Sequence, residues 1–521
     1  MLSMDSVAVY AAVPALLWSS SMYLIQSIGI LMVFLYYSYP PRKPTSSHLP
    51  EDQVPHITII RPVKGLEPEL YECLASTFRQ DYPKSKLSIR ICVSSEDDPA
   101  YPILDKIVQD FADFDVRILV EEYDPLISSL EGKTGDELGP NPKIRNISRA
   151  YREAKGELIW IIDCNVWISR GVAGRMVDRL MGFLPGGKKT TPFRFVHHMP
   201  LVVDMAVADC ETTGSVGTTE PFLARTSRIG GGRLDEMFMA TSHAKFYGAI
   251  NTVGAAPCII GKSNMFRKSH LDACTDPSLN KNLKASDANR RRGVDFFSHN
   301  ICEDHLIGDL LWKADIPGYK KHGLVWGDIA IQPMSGMSVA AYCARRVRWL
   351  RARKWTVLIA TLVEPGVESL LCNLYFAYAI TTLPWFHKTF GIPHSWTAMV
   401  VLWMVGVTIW MVCDRAVYRR LHKCLTVEVD DVTPAFARGP QRPGGLQRKP
   451  LWAWVPAWIG REFLALPIWT WAVLLGTTVT WRGRTFRVHR DMSVYEHPEV
   501  QDVPKWQGRP TARHRPSHSK S

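Results

Sequence analysis

No two cysteines of this 521-residue chain stand in C-x-x-C spacing, although there are 11 of them. That absence removes the usual zinc and dithiol frames, and thiols scattered singly from Cys73 to Cys424 read as reduced packing residues facing a cytosol. No run of Lys and Arg alternates with aromatics and no nucleic-acid module is legible, which argues against nucleic acid as a partner. No internal repeat recurs. Residues 7–37 hold no charge at all, a stretch longer than the ~20 residues that span a bilayer. It exceeds a signal-peptide core and lacks a small-residue cleavage site, so it reads as a retained anchor. What the chain has in excess is positive charge, 62 Lys+Arg against 50 Asp+Glu. With long apolar segments beside it, that excess suits anionic lipid or a phosphorylated substrate.

The pattern predicts a membrane anchor over 1–40, a linker over 41–55, and a soluble unit over 56–337. An amphipathic interfacial helix follows at 338–365, then C-terminal membrane segments over 366–490 with a basic loop at 415–449, and a disordered tail over 491–521. Arg42 and Lys43 follow the anchor and only Asp5 precedes it, so the soluble unit is expected in the cytosol. Within it, apolar runs at 57–62, 87–94, 116–120 and 195–205 alternate with helical patterns at 70–78, 99–111 and 144–154. That alternation predicts an α/β, Rossmann-like, doubly wound sheet. Residues 209–234 read as an irregular insertion and 276–293 as a solvated loop. Three later apolar segments, 369–386, 396–413 and 463–479, approach spanning length. Three spans would leave the basic stretch 482–490 on the far side, so 369–386 or 463–479 is expected to be re-entrant or interfacial.

One stretch organises the soluble unit: Glu157-Leu-Ile-Trp-Ile-Ile-Asp163-Cys-Asn165. Five apolar residues running into a carboxylate read as a buried strand of a mostly parallel sheet. Such sheets bind ligands beyond the carboxyl ends of their strands. A carboxylate there, with an amide two residues on, suits a hard divalent cation bridging a diphosphate; the alternative is an Asp163 that only caps the next helix. Asp97 and Asp98 end another run, Glu303 and Asp304 open a helix, and Arg345-Arg-Val-Arg348-Trp349 follows on the amphipathic helix. Val339, Cys343, Val347 and Leu350 share one side of that helix, a face expected to lie on the membrane.

As an ordered set over about residues 57–487, these motifs resemble the ceramide glucosyltransferases, membrane enzymes with a GT-A-type nucleotide-sugar fold. The family's three aspartates fall on Asp98, Asp163 and Asp304, and its R/Q-x-x-R-W motif falls on Arg345, Arg348 and Trp349. A family Thr-Ser-His segment ends on His243, and Asn-Pro-Lys143-Ile, Arg461-Glu462 and Trp481-Arg-Gly-Arg-Thr-x-Arg487 also match. The resemblance implies a GT-A-type domain inserted between an N-terminal transmembrane helix and a C-terminal transmembrane or interfacial helical region. It implies inverting transfer of glucose from UDP-glucose to ceramide, on a multi-pass Golgi or ER membrane protein whose catalytic domain faces the cytosol. Asp163 would hold Mn²⁺ or Mg²⁺, while Asp98, Lys143, Arg348 and Trp349 would meet the donor. Asp304, beside Glu303, would be the general base. The sequence has Asp163-Cys-Asn165 where generic nucleotide-sugar enzymes carry Asp-x-Asp.

Plainer roles stand beside these. Asp304 can cap its helix, the arginines can touch lipid headgroups, and His243 can be structural. Lys143 can face water, and Asp97 can be a solvated neighbour of Asp98. The alternative enzyme is a processive polysaccharide synthase, which typically carries Gln first in the motif and more spans. The alternative outside catalysis is a membrane scaffold with a relic sugar-binding fold.

Overall fold

The computed structural model describes residues 4–127, 138–205, 222–284, 287–447 and 449–496. Seven strands form the central sheet: β1 Ile57–Pro62, β2 Leu87–Val93, β3 Asp115–Val120, β4 Leu158–Ile162, β5 Phe193–Asp204, β6 Ser263–Arg267 and β7 Lys320–Met334. They lie in the order β3-β2-β1-β4-β6-β5-β7. All neighbours pair in parallel except β6, which runs against both β4 and β5. The α/β, doubly wound sheet expected from the sequence is what the chain adopts. On β4, Leu158, Trp160 and Ile162 enter one apolar layer and Ile159 and Ile161 the other. Burial on both faces is why that strand reads as an unbroken apolar run.

The helices that place functional groups are α1 Met4–Tyr36, α2 Pro142–Arg152, α3 Gly231–Phe238, α4 Glu303–Lys313, α5 Val339–Arg353, α6 Ser369–Thr382, α7 Trp396–His422 and α8 Leu451–Trp469. On α1, Ala12, Ser19, Gln26 and Val33 recur every seven residues and are buried, while Tyr10, Leu17, Leu24 and Leu31 recur likewise and are exposed. That stripe leaves large apolar groups outward, the kind of exposed apolar surface that marks a contact with a membrane or another protein. Where α1 meets the catalytic unit, a Cβ on Gly29 would lie 2.1 Å from the Lys245 carbonyl oxygen, so only glycine permits that approach. Met199, Leu201, Ile329 and Ile331 of β5 and β7 share one core with Tyr37, Tyr418, Trp454 and Trp458. Sheet and helices are therefore fused through a common apolar layer.

Four expectations need correction. Among the described residues only Val7–Tyr36 and Trp396–His422 are long and apolar enough to cross a membrane. Segment 369–386 is the 14-residue α6, broken at Leu383-Pro384 before a helix over Pro384–Phe390. Segment 463–479 ends α8, passes through a wide turn at Thr470–Leu474 and becomes strand at Thr478. The β-branched run Thr477-Thr-Val-Thr favours that strand over a helix.

The basic loop expected from 415 begins later, because Arg415, Arg419 and Arg420 continue α7 to His422. The insertion expected to be irregular includes helices at Phe222–Ile229 and Gly231–Phe238; residues 206–221 lie outside the described residues. The tail expected to be disordered from 491 contributes β10 Val494–Glu496 to a ribbon with β8 Thr478–Trp481 and β9 Arg484–Val488. Residues 497–521 lie outside the described residues. Val494 N donates to His299 O at 2.9 Å, and Arg351 Nη1 to Thr478 O at 2.8 Å. The ribbon over 478–496 thus sits against the α/β unit and α5.

Candidate active site

Strand direction assembles the site. β1, β2 and β4 end at one edge of the sheet, and antiparallel β6 begins there, so Lys262 stands beside Asp163 with Asp163 N donating to Lys262 O at 3.2 Å. The start of α2 arrives from one side and the start of α4 from another. Asn141 caps α2 by accepting from Lys143 N at 2.8 Å and Ile144 N at 3.1 Å. Its amide nitrogen donates to Asn300 O at 2.6 Å and Glu303 Oε2 at 3.1 Å, which ties the two helix starts together.

Lys143 Nζ is the hub. It lies 3.2 Å from Asp163 Oδ1, 3.3 Å from Glu303 Oε1 and 3.0 Å from Asp304 Oδ2. Expected to face phosphate or water, Lys143 is buried among three carboxylates instead. Lys262 Nζ donates to Asp163 Oδ2 at 3.1 Å and to Asn165 Oδ1 at 3.2 Å. Burial would raise the Asp163 carboxyl, but the two ammonium groups outweigh it and hold Asp163 well below the usual carboxylate range. Asp304 goes the other way. Burial, helped by Glu303 and Asp163 and opposed by Lys143, pushes it up to about 7. Gly261 leaves the room: a Cβ there would lie 1.9 Å from Asp304 Oδ2.

α5 closes another side of the site. Arg348 is pushed down to about 10 by burial and by Arg345, while Asp163 pulls it up. Its guanidinium has no hydrogen-bond or ion-pair partner among the described residues. Arg345 is held by the buried Asp235, Nε to Oδ2 at 3.3 Å, and its guanidinium lies 4.5 Å from the Trp349 ring centre. Across the entrance, the β8–β9 turn brings Arg482, whose Nη1 donates to Pro142 O at 3.5 Å and whose charge also weighs on Arg348.

The rest of the expected set is placed differently. Asp98 is turned inward, its Oδ1 accepting from Gly65 N at 2.9 Å and Ala100 N at 3.0 Å; Asp97 is the exposed member of the pair. His243 is pushed down to about 3 by burial and by Arg346 and Arg353, and it stacks on Tyr247 at 5.1 Å. A neutral, stacked imidazole fits the structural reading. The face of α5 expected to lie on lipid is in part taken up by protein: Leu350 is buried, and Val339, Cys343 and Val347 are half-buried, against Leu464, Ile468, Trp469 and Val473. Arg346 and Arg353 pair with Glu364, and Lys354 Nζ donates to Val473 O, so these cations are not spread on headgroups. Amphipathicity marks an apolar face without naming what covers it.

A divalent cation on a diphosphate needs only one or two protein carboxylates, the rest being water and phosphate oxygens. Among the described residues no three His, Cys, Asp or Glu side chains are grouped to hold an ion by themselves. Asp163 meets the smaller demand, with hard oxygens at a strand end and its side chain 26% exposed. Asn165 offers less, a buried and uncharged amide oxygen that accepts from Lys262 at 3.2 Å. Sequence reasoning missed Lys262, Asn141, Asp235 and Arg482 as site-shaping residues. Two of them carried a signal, Asn141 as the first residue of the Asn-Pro-Lys143-Ile segment and Arg482 by its place in the Trp481–Arg487 motif.

The family model described as glycosyl transferase family 21 matches residues 21–204 and 282–494. A ceramide glucosyltransferase of Pyricularia oryzae is 56% identical over 504 residues, covering 96% of this chain and 97% of that protein. One of Gibberella zeae is 52% identical over 484 residues, covering 90% of each. Among solved structures, a mannosyltransferase from Pyrobaculum calidifontis in complex with GDP-Man and Mn²⁺ aligns with a TM-score of 0.39 and 14% identity, over 79% of this chain and 98% of that one. Similarity that loose bears on neither donor nor metal.

Proposed function

The chain belongs to glycosyl transferase family 21, and on that premise we propose that it transfers glucose from UDP-glucose to ceramide, with inversion, giving β-glucosylceramide. The observation that carries this reading is the pair of opposed carboxylates, Asp163 held ionised and Asp304 raised to about 7, on either side of Lys143. A base poised near the working pH is what deprotonating an alcohol requires. In one displacement, the acceptor oxygen bonds to the sugar's anomeric carbon as the bond to the diphosphate oxygen breaks. The hydroxyl proton passes to an Asp304 carboxylate oxygen, and UDP departs. Arg348 presents an unengaged planar fork suited to phosphate oxygens, and Lys143 and Lys262 add charge at the same edge. A Mn²⁺ or Mg²⁺ ion held by Asp163 would neutralise charge on the leaving diphosphate. Trp349 offers an aromatic face beside Arg345 for sugar or acceptor, and Asp98 shapes the Gly65 turn of the donor pocket.

The membrane reading follows from the same layout. α1 and α7 cross the bilayer as single helices. Neither helix of 369–390 is long enough to cross alone, but the two in series make the return crossing between them, with Asn373 against Tyr23 and Gly406. Three crossings put the catalytic unit and the basic ribbon on one side, the cytosolic face of the Golgi or ER by the positive-inside rule. The test is radiolabelled UDP-glucose offered to the purified full chain with ceramide and with oligosaccharide acceptors. The expected result is one labelled β-glucosylceramide per UDP released. A growing polymer, or no transfer to ceramide, would contradict it.

A further inference from the structure

A cavity of about 260 Å³ lies away from the carboxylate cluster, where the last two turns of α7 meet the end of β5 and the loop after Cys424. A water molecule takes ~30 Å³ of liquid, so the cavity has room for several waters or for an anion in their place. Its walls mix charge of both signs, but the acids are already answered. Lys449 Nζ donates to Asp204 Oδ2 and to Glu236 Oε2, both at 2.9 Å. Tyr418 OH adds a bond to Glu236 Oε2 at 3.2 Å, and Asp204 N one to Glu236 Oε1 at 3.0 Å.

Arg415 and Arg419 carry charge that no acid answers, although the Arg415 guanidinium lies 5.2 Å from the Trp454 ring centre. Both line the cavity, and neither has a hydrogen bond or ion pair among the described residues. Arginines that merely snorkel from a helix end spread over the surface. These two converge on one open-mouthed hollow, Arg415 half-buried in its wall and Arg419 exposed at its rim, at the inner end of a helix long enough to span a bilayer. A basic pocket among helices at that level is suited to an anionic lipid headgroup, and a guanidinium fork matches phosphate geometry.

We propose that this cavity is a second binding site, taking a phosphate-bearing anion supplied by the headgroup of an anionic phospholipid in the leaflet that the catalytic unit faces. The site rests on α7 crossing the bilayer and not on the identity of sugar or acceptor. Its position ties it to the reaction. Glu236 in the cavity wall is the chain neighbour of Asp235, and Asp235 holds Arg345 of the Arg-x-x-Arg-Trp helix. An occupied cavity therefore steadies α3, on which that arginine depends.

The experiment measures binding of short-chain phosphatidic acid, phosphatidylcholine and inorganic phosphate to the detergent-purified full chain. The wild type is compared with the double variants Arg415→Gln/Arg419→Gln and Arg415→Lys/Arg419→Lys. The expected result is phosphatidic acid bound at least tenfold more tightly than phosphatidylcholine. That preference should vanish in the Gln pair and return in part in the Lys pair. Absence of the preference in the wild type overturns the site even if a variant fails to fold, as does a preference that survives in the Gln pair. Inorganic phosphate binding as tightly as phosphatidic acid, with the same arginine dependence, overturns the lipid source. Glucose transfer by each protein in phosphatidylcholine vesicles is read separately, so that loss of this site is distinguishable from failure of the glucosyltransferase reading.

Discussion

Two clusters in this molecule set three carboxylates against two cations, and they differ in what surrounds them. At the sheet edge, Asp163, Glu303 and Asp304 face Lys143 and Lys262. Between α7, α8 and the start of α6, Asp414, Glu368 and Glu462 face Lys245 and Arg461. In the second cluster Trp458 Nε1 donates to Asp414 Oδ2 at 2.8 Å and Ser242 Oγ to Glu368 Oε2 at 3.0 Å. The surplus acid there is Glu462, pushed up to about 8 by burial and by Glu368 and Asp414 against the pull of Arg461. At the sheet edge the surplus falls on Asp304, Asp163 stays partly exposed, and Arg348 stands without a partner. Equal charge inventories thus do opposite things. A closed set fastens helices together, and an open set with a spare cation is ready for a charged ligand.

The comparison can be broken by mutation. Asp304→Asn should lower the rate of glucosyl transfer by ~10²–10⁴ while leaving UDP-glucose affinity within a few-fold. More than a tenth of wild-type turnover would remove Asp304 from the base role. Arg461→Met should instead cost stability, about 3–5 kcal/mol, because it strands buried carboxylates. Thermal unfolding in detergent reads this, and an unchanged midpoint would show that the second cluster fastens nothing. Arg348→Lys should raise the donor KM by roughly tenfold, since an ammonium cannot reproduce the fork. An unchanged KM would place the diphosphate elsewhere. Glu462→Gln should be the mildest, within ~1 kcal/mol in stability and without effect on kcat, because that group already carries a proton near neutrality. A hundredfold fall in kcat there would erase the distinction between the clusters.

What the sequence disclosed follows from what is local. The β4 strand and its terminal Asp163 were legible because burial on both faces writes an apolar run. Asp304 and Arg348 were legible because short motifs carry them. Lys262 was not, since its place depends on β6 running antiparallel, and Ser263–Arg267 shows no alternation that fixes its partner. β7 was missed because Gly327, at φ +92°, and Pro333 interrupt a run that pairing with β5 makes continuous. The cover on α5 was misread because the chain that supplies it lies more than a hundred residues later. Asp98 was legible from its motif, but not that its oxygens accept from the Gly65 turn, which lies 33 residues earlier.

The pH dependence of kcat/KM for glucosyl transfer to ceramide, taken through the neutral range, tests the open cluster most directly. A base must be ionised to act, and burial has raised Asp304 to about 7, so activity should fall as pH drops below that point and level off above it. The residual activity of Asp304→Asn should lack that limb. A wild-type profile that stays flat through neutrality, or a limb that persists in Asp304→Asn, would contradict the assignment.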